Sequence, residues 1–66
     1  MKNIIKVERA KKDMTQEKLA ELTDVSRQTI NSIEKSRYIP STVLALKIAR
    51  VFNVTVNQIF MLEEGD

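Results

Sequence analysis

Thr15-Gln16-Glu17-Lys18-Leu19-Ala20-Glu21-Leu22-Thr23-Asp24-Val25-Ser26-Arg27-Gln28-Thr29-Ile30-Asn31-Ser32-Ile33-Glu34 reads as two short capped helices joined by a tight turn. The hydroxyl oxygens of Thr15 and Ser26 can each accept a hydrogen bond from the free N–H groups of the turn that follows, so each marks a helix start. Starts this close leave room for one short helix and a turn. Leu19, Ala20 and Thr23 share one helix face, Val25 lies in the turn, and Ile30 and Ile33 repeat at helical spacing on the second helix. Facing one another, these apolar residues lock the pair. Asp24 falls where such a turn needs a positive φ, which Gly adopts freely and Asp or Asn tolerate at some cost.

The chemistry at the start of the second helix points to DNA. Arg27, Gln28, Asn31 and Ser32 sit on its polar side, opposite Ile30 and Ile33. Arg27 and Gln28 occupy the N-terminal turn, the part of a recognition helix that reaches base edges in a helix-turn-helix. Arg can bridge guanine O6 and N7, and Gln or Asn can bridge adenine N6 and N7. On an arbitrary helix these would be ordinary solvated side chains. The capped, tightly turned context favours base reading by Arg27, Gln28 and Asn31, assisted by Ser26 and Ser32.

At 66 residues the chain reads as one domain, residues 1–66, near the lower size at which a hydrophobic core alone holds a fold. Compact helices are favoured over a sheet-rich architecture, and a partner subunit would add buried area. There is neither cysteine nor histidine, which excludes disulfides and thiolate or imidazole metal sites and suits a reducing cytoplasm. No apolar run approaches a membrane span, no signal-peptide core is present, and no cofactor or small-molecule ligand is indicated. A net charge of +2 is uninformative as a sum, but its distribution is not. From Val25 to Phe52 the charges are Arg27, Lys35, Arg37, Lys47 and Arg50 against Glu34 alone, while acid gathers in the tail as Glu63, Glu64 and Asp66. A basic face around the second helix and its following loop is where phosphate contacts would lie. Lys47 and Arg50 read equally well as solvated surface.

Ile5 through Lys12 reads as a first helix with thin apolar content, ended at Asp13. On spacing alone, Arg9 on this helix and Glu34 at the end of the reading helix are either a pair across the core edge or two separate surface charges. Lys35 to Pro40 reads as a loop, its end set by Pro40, which disfavours helix at Ile39. Tyr38, flanked by Lys35 and Arg37, offers its hydroxyl to a phosphate or packs its ring with the hydroxyl in water. Ser41 caps a helix from Thr42 to about Phe52, closed by Asn53. Thr55 and Gln58 carry a capping-box signature for a last short helix.

The Thr42–Phe52 helix carries more apolar surface than one core face requires: Ala45, Leu46, Ala49 and Phe52 form one stripe, with Leu44, Ile48 and Val51 beside it. Met61 and Leu62 extend this surface. These residues are read as a homodimer interface of Leu44, Val51, Ile59, Met61 and Leu62. The alternative, compatible with it, folds Met61 and Leu62 back on Ile4 as a small strand pair within one subunit.

With these residues in view, the chain resembles the compact, single-domain members of the Xre/Cro/CI helix-turn-helix regulators. The resemblance covers nearly all of it, most specifically at Thr15 to Ala20, Val25 to Lys35, Tyr38, Pro40-Ser41 and Leu46 to Ala49. It implies an all-α, five-helix, lambda-repressor-like DNA-binding domain, with the helix-turn-helix at about residues 15–35, that binds an inverted repeat as a dimer. It also implies a phosphate contact at Gln16, base or backbone contacts at Ser26, Arg27, Gln28 and Ser32, and pairing of Arg9 with Glu34. Asp13 and Asp24 stand where many relatives have Gly. Glu8 stands where Leu is frequent, which leaves the first helix poorly anchored unless a dimer or the tail covers it.

The expected function is a sequence-specific, double-stranded-DNA-binding transcriptional repressor acting as a homodimer. Arg27, Gln28, Asn31, Ser32 and Ser26 would serve bases, and Gln16, Thr29, Lys35, Arg37 and Tyr38 the phosphates. The alternative is an antitoxin or adaptor using the same fold mainly to hold a protein partner. Enzymatic function is disfavoured, because the chain offers no His or Cys, no glycine-rich phosphate loop and no carboxylate pair placed for acid–base work.

Overall fold

Two two-residue strands, β1 (Lys2–Asn3) and β2 (Phe60–Met61), bracket five helices: α1 (Ile5–Lys11), α2 (Gln16–Thr23), α3 (Arg27–Glu34), α4 (Thr42–Val51) and α5 (Val56–Ile59). This arrangement comes from a computed structural model that describes every residue from Met1 to Asp66. The start signals are used as read. The hydroxyl of Thr15 accepts from the Lys18 N–H at 3.0 Å, that of Ser26 from Thr29 at 3.1 Å, and that of Ser41 from Leu44 at 3.1 Å. At α5, Gln58 Oε1 reaches back to accept from the Thr55 N–H at 2.8 Å. Helix α1 begins on Ile4, which has no capping side chain, and the amide oxygen of Asn3 accepts from the Ile5 N–H instead, at 3.2 Å. The Asn3 Nδ2 donates to the Ile33 carbonyl at 2.8 Å, so one side chain ties the start of α1 to α3.

One device ends the first four helices, and none of them uses glycine. Asp13, Asp24, Ser36 and Asn53 adopt φ of 50°, 59°, 59° and 55°. After each, the next residue's N–H returns to a carbonyl five residues back: Met14 to Arg9, Val25 to Ala20, Arg37 to Ser32 and Val54 to Ala49, all at 2.9–3.0 Å. This is the Schellman arrangement, which pairs carbonyls otherwise orphaned at a helix end. In three of the four cases the returning residue is apolar, and Met14, Val25 and Val54 pack against the core. Each stop therefore both satisfies the backbone and aims the chain inward.

The core gathers Ile5, Leu19, Ala20, Ile30, Ile33, Leu44, Ala45, Ile48, Ala49, Phe52, Ile59 and Phe60. The buried hydroxyl of Thr23 donates to the Leu19 carbonyl at 2.8 Å, so it enters the core without an unpaired polar atom. Lys2 pairs with Met61 and Asn3 with Phe60 in an antiparallel ladder, and the Ile4 N–H donates to the Ile59 carbonyl at 3.0 Å. The two chain ends are thus joined, as one of the two readings of Met61 had it, although the partners are Lys2 and Asn3 rather than Ile4.

Several expectations need correction. Helices α1 and α4 stop one residue early, at Lys11 and Val51. Leu44 and Ile59 are unavailable to a partner, because both lie buried in the protein's own core. Helix α4 and its C-cap turn Leu44, Ala45, Ile48, Ala49 and Phe52 inward as a single face, which draws on both stripes read from sequence and leaves Leu46 55% exposed. Val51 is half-buried against the core, Met61 is half-buried in the strand pair, and only Leu62 of the five expected interface residues is freely exposed, at 82%. Glu8 is buried, its carboxylate 2.9 Å from Lys11 Nζ. It does not loosen α1, because the fully buried Ile5, the Asn3 cap and the strand pair anchor that helix.

The left-handed geometry of Asp24 has a measurable consequence. Glycine there avoids the steric penalty of a Cβ at positive φ but loses more conformational entropy on folding, so Asp24→Gly is expected to stabilise by about 0.5–1 kcal/mol. In thermal denaturation followed by circular dichroism this is a rise in Tm of about 2–8 °C for a domain of this size.

Candidate nucleic-acid interface

Helix α3 presents two faces of opposite chemistry. Ile30 and Ile33 are buried, whereas Gln28, Asn31, Ser32 and Lys35 fall at i, i+3, i+4 and i+7 and form a ridge on the other side. Gln28 and Lys35 are exposed, Asn31 and Ser32 half-buried, and Arg27 is exposed at the first position of the helix. Neither Arg27 nor Lys35 has an acidic partner in the protein, because the salt bridges involve only the N-terminus, Arg9, Lys11 and Lys18 as cations. The loop after α3 carries Arg37 and Tyr38, both exposed. The fold therefore collects Gln28, Asn31 and Ser32 on one ridge, with the cations Arg27 and Lys35 at its two ends, whereas Ser26 lies off it as the N-cap of α3.

What orients this ridge lies beneath it. Arg9 Nε donates to Glu34 Oε2 at 2.7 Å and Arg9 Nη2 to Oε1 at 3.0 Å, a bidentate contact between α1 and α3. Its remaining nitrogen, Nη1, donates to the Met14 carbonyl at 2.8 Å, in the turn between α1 and α2. The pair is largely shielded, with 14% of the Arg9 side chain and 7% of the Glu34 side chain exposed. The hydrogen bonds that Arg9 donates to the Glu34 carboxylate hold its pKa above its already high ordinary value. Gln16, the first residue of α2, completes the cluster: its Nε2 donates to Glu34 Oε1 at 3.3 Å and to Asn31 Oδ1 at 3.2 Å. Both Nε2 protons are thus engaged inside the protein, so a phosphate at this position would meet the backbone N–H groups at the start of α2.

Ser26 and Thr29 sit together at the start of α3. Besides capping the Thr29 N–H, Ser26 Oγ lies 2.9 Å from Thr29 Oγ1, so both hydroxyls are partly engaged before any ligand arrives. Thr29 and Tyr38 line a cleft of about 280 Å³ of mixed character, with Asp24, Ser41 and Lys47 as further polar members and Val25, Val43 and Leu44 as apolar ones. From sequence, Lys47 reads equally well as part of the basic face and as solvated surface. It is 18 positions from Thr29 in the chain, so no local spacing signals that the fold brings them to one cleft.

The sequence profile described as helix-turn-helix matches residues 5–59. Over 66 residues the chain is 50% identical to an uncharacterized HTH-type transcriptional regulator of Methanocaldococcus jannaschii, covering all of both chains. It is 48% identical over 64 residues to the uncharacterized HTH-type transcriptional regulator YgzD of Bacillus subtilis, covering 97% of each. Among solved structures it is similar to the clp gene regulator ClgR of Corynebacterium glutamicum, with a TM-score of 0.74 and 27% identity over 79% of this chain. The match takes in 55% of that ClgR chain.

Removing one partner of a shielded ion pair leaves the other charge uncompensated. Glu34→Ala is therefore expected to cost about 2–4 kcal/mol in urea denaturation, whereas Lys35→Ala, one residue on and exposed, should stay within about 0.5 kcal/mol of the parent.

Proposed function

The chain belongs to the Xre/Cro/CI-type helix-turn-helix family of transcriptional regulators, and from that premise we propose that it is a sequence-specific repressor. In this reading it binds an inverted-repeat operator as a homodimer and acts by excluding other proteins from the occupied site. One observation carries the reading: α3 offers Arg27, Gln28, Asn31 and Ser32 on a ridge whose orientation is fixed from below by Arg9, Glu34 and Gln16. In this role Arg27 and Gln28 lie at the entry to the major groove and read base edges, with Asn31, Ser32 and Ser26 beside them. Lys35, Arg37, Tyr38, Thr29 and the backbone N–H groups at the start of α2 hold the phosphates and set the register without reading sequence, while the Gln16 side chain, expected from sequence to touch a phosphate, is turned inward to Glu34 and Asn31.

The homodimer rests on exposed apolar surface away from the ridge. Leu46 and Ile39 are 55% and 63% exposed and border a groove of about 330 Å³ with Met1, Pro40, Val56 and Phe60. A second copy packing Leu46 and Ile39 into the same groove of its partner forms a self-complementary, two-fold contact, as an inverted repeat requires. Leu62, Met61 and Val51 lie outside this groove and are peripheral in this arrangement.

Selection from a randomised duplex library at near-physiological salt tests the function. The expected product is an inverted repeat with half-site centres about 10 bp apart. Gln28→Ala should cost about 1–3 kcal/mol and relax one base position, while Lys35→Ala should weaken all sequences alike and flatten the dependence of affinity on salt. No enrichment from a folded protein would favour the partner-holding role instead. For the assembly, sedimentation equilibrium at micromolar concentration should give a mass near twice that of the chain, and Leu46→Glu should return it to one.

A further inference from the structure

A carboxylate accepts hydrogen bonds and cannot donate them, and at Glu34 this one-way chemistry passes through two amides to the surface of α3. Glu34 Oε1 receives Arg9 Nη2 and also Gln16 Nε2. Reversing the Gln16 amide would set its carbonyl oxygen against the carboxylate, so its nitrogen must face Glu34. The same nitrogen lies 3.2 Å from the side-chain amide of Asn31, which must therefore turn its oxygen, Oδ1, toward Gln16. Asn31 Nδ2 makes no hydrogen bond within the protein, and because no buried side-chain nitrogen or oxygen is left unpaired, it is open to solvent on the helix face that also carries Gln28 and Ser32. The whole relay, from Arg9 through Glu34 and Gln16 to Asn31, is set in the free protein.

We propose that Asn31 is a donor-only specificity residue, and that Gln16 is the positioning residue that makes it so. An unrestrained Asn bridges adenine by donating to N7 and accepting from the N6 amino group. With Oδ1 held inward, Asn31 offers N–H groups alone. It favours a base edge that presents acceptors to the major groove, guanine N7 and O6 or thymine O4, and disfavours adenine, whose amino group meets no acceptor. The proposal rests on the DNA-reading function above and refines it at one position.

The test has one arm without DNA and one with it. In the free protein, NMR of the side-chain amides should show the Gln16 Nε2 protons exchanging with solvent at least tenfold more slowly than those of Asn31, with the protection reduced in Asn31→Ala. Equal, unprotected exchange overturns the relay. Duplex selections are then run on the parent, Asn31→Ala and Gln16→Met, each first confirmed as folded by circular dichroism. The base position that loses its preference in Asn31→Ala is the one Asn31 reads. There the parent should prefer guanine or thymine over adenine by about fivefold or more, and Gln16→Met, which frees the Asn31 amide to rotate, should gain adenine while other positions keep their preferences. Adenine already preferred by the parent at that position, or an unchanged preference in Gln16→Met, overturns the proposal while leaving DNA reading intact. A parent that enriches no sequence at any position overturns the DNA-reading function itself, and with it the role of Asn31.

Discussion

The guanidinium of Arg9 joins α1, the turn before α2 and the end of α3 through the hydrogen bonds of a single side chain. It grips Glu34 at the end of α3 with two nitrogens and the Met14 carbonyl between α1 and α2 with the third. Glu34 in turn receives Gln16 from the start of α2. A helix of eight residues, packed through two isoleucines, is free to roll about its axis unless something off the apolar stripe resists it. A bidentate, planar contact resists rotation in a way that apolar packing does not, because it is directional as well as attractive. A shielded pair of this kind adds little net stability over an apolar pair of the same shape, so its value here lies in geometry.

The same economy of means governs how the helices stop. With a single glycine, Gly65, the chain ends four helices on Asp13, Asp24, Ser36 and Asn53 at positive φ. Each carries some steric penalty, offset by two closing hydrogen bonds and, at Met14, Val25 and Val54, by apolar contact with the core. In so small a protein these returns matter twice, since they set the angles between helices and add apolar area to a core that is short of it.

The sequence made most of the site readable. Thr15, Ser26 and Ser41 signalled their helix starts through local hydrogen bonding, and Ile30 with Ile33 told which side of α3 faces inward and hence which side carries Gln28, Asn31 and Ser32. These readings succeed because a cap or a helix face is decided within four residues of chain. The interface reading was poorer. Two adjacent apolar stripes on α4 left open which one faces the core, and the packing of α2 and α5 chose Leu44 and Ile48 over Leu46. The burial of Glu8 and the meeting of Lys47 with Thr29 and Tyr38 had no local signal at all.

Sequence by itself determined that this chain is a set of short capped helices with a helix-turn-helix at its centre and a polar, basic face on its second helix, because periodicity, caps and charge are local properties. The tertiary structure alone decided that Gln16 turns inward to Asn31 and Glu34, that Asn3 takes over the capping of α1, and that the exposed apolar surface lies at Ile39 and Leu46. Each of these depends on which side chains meet across the core. A donor finds its acceptor only when packing has placed both, and a hydrophobic residue is buried only when another element arrives to cover it.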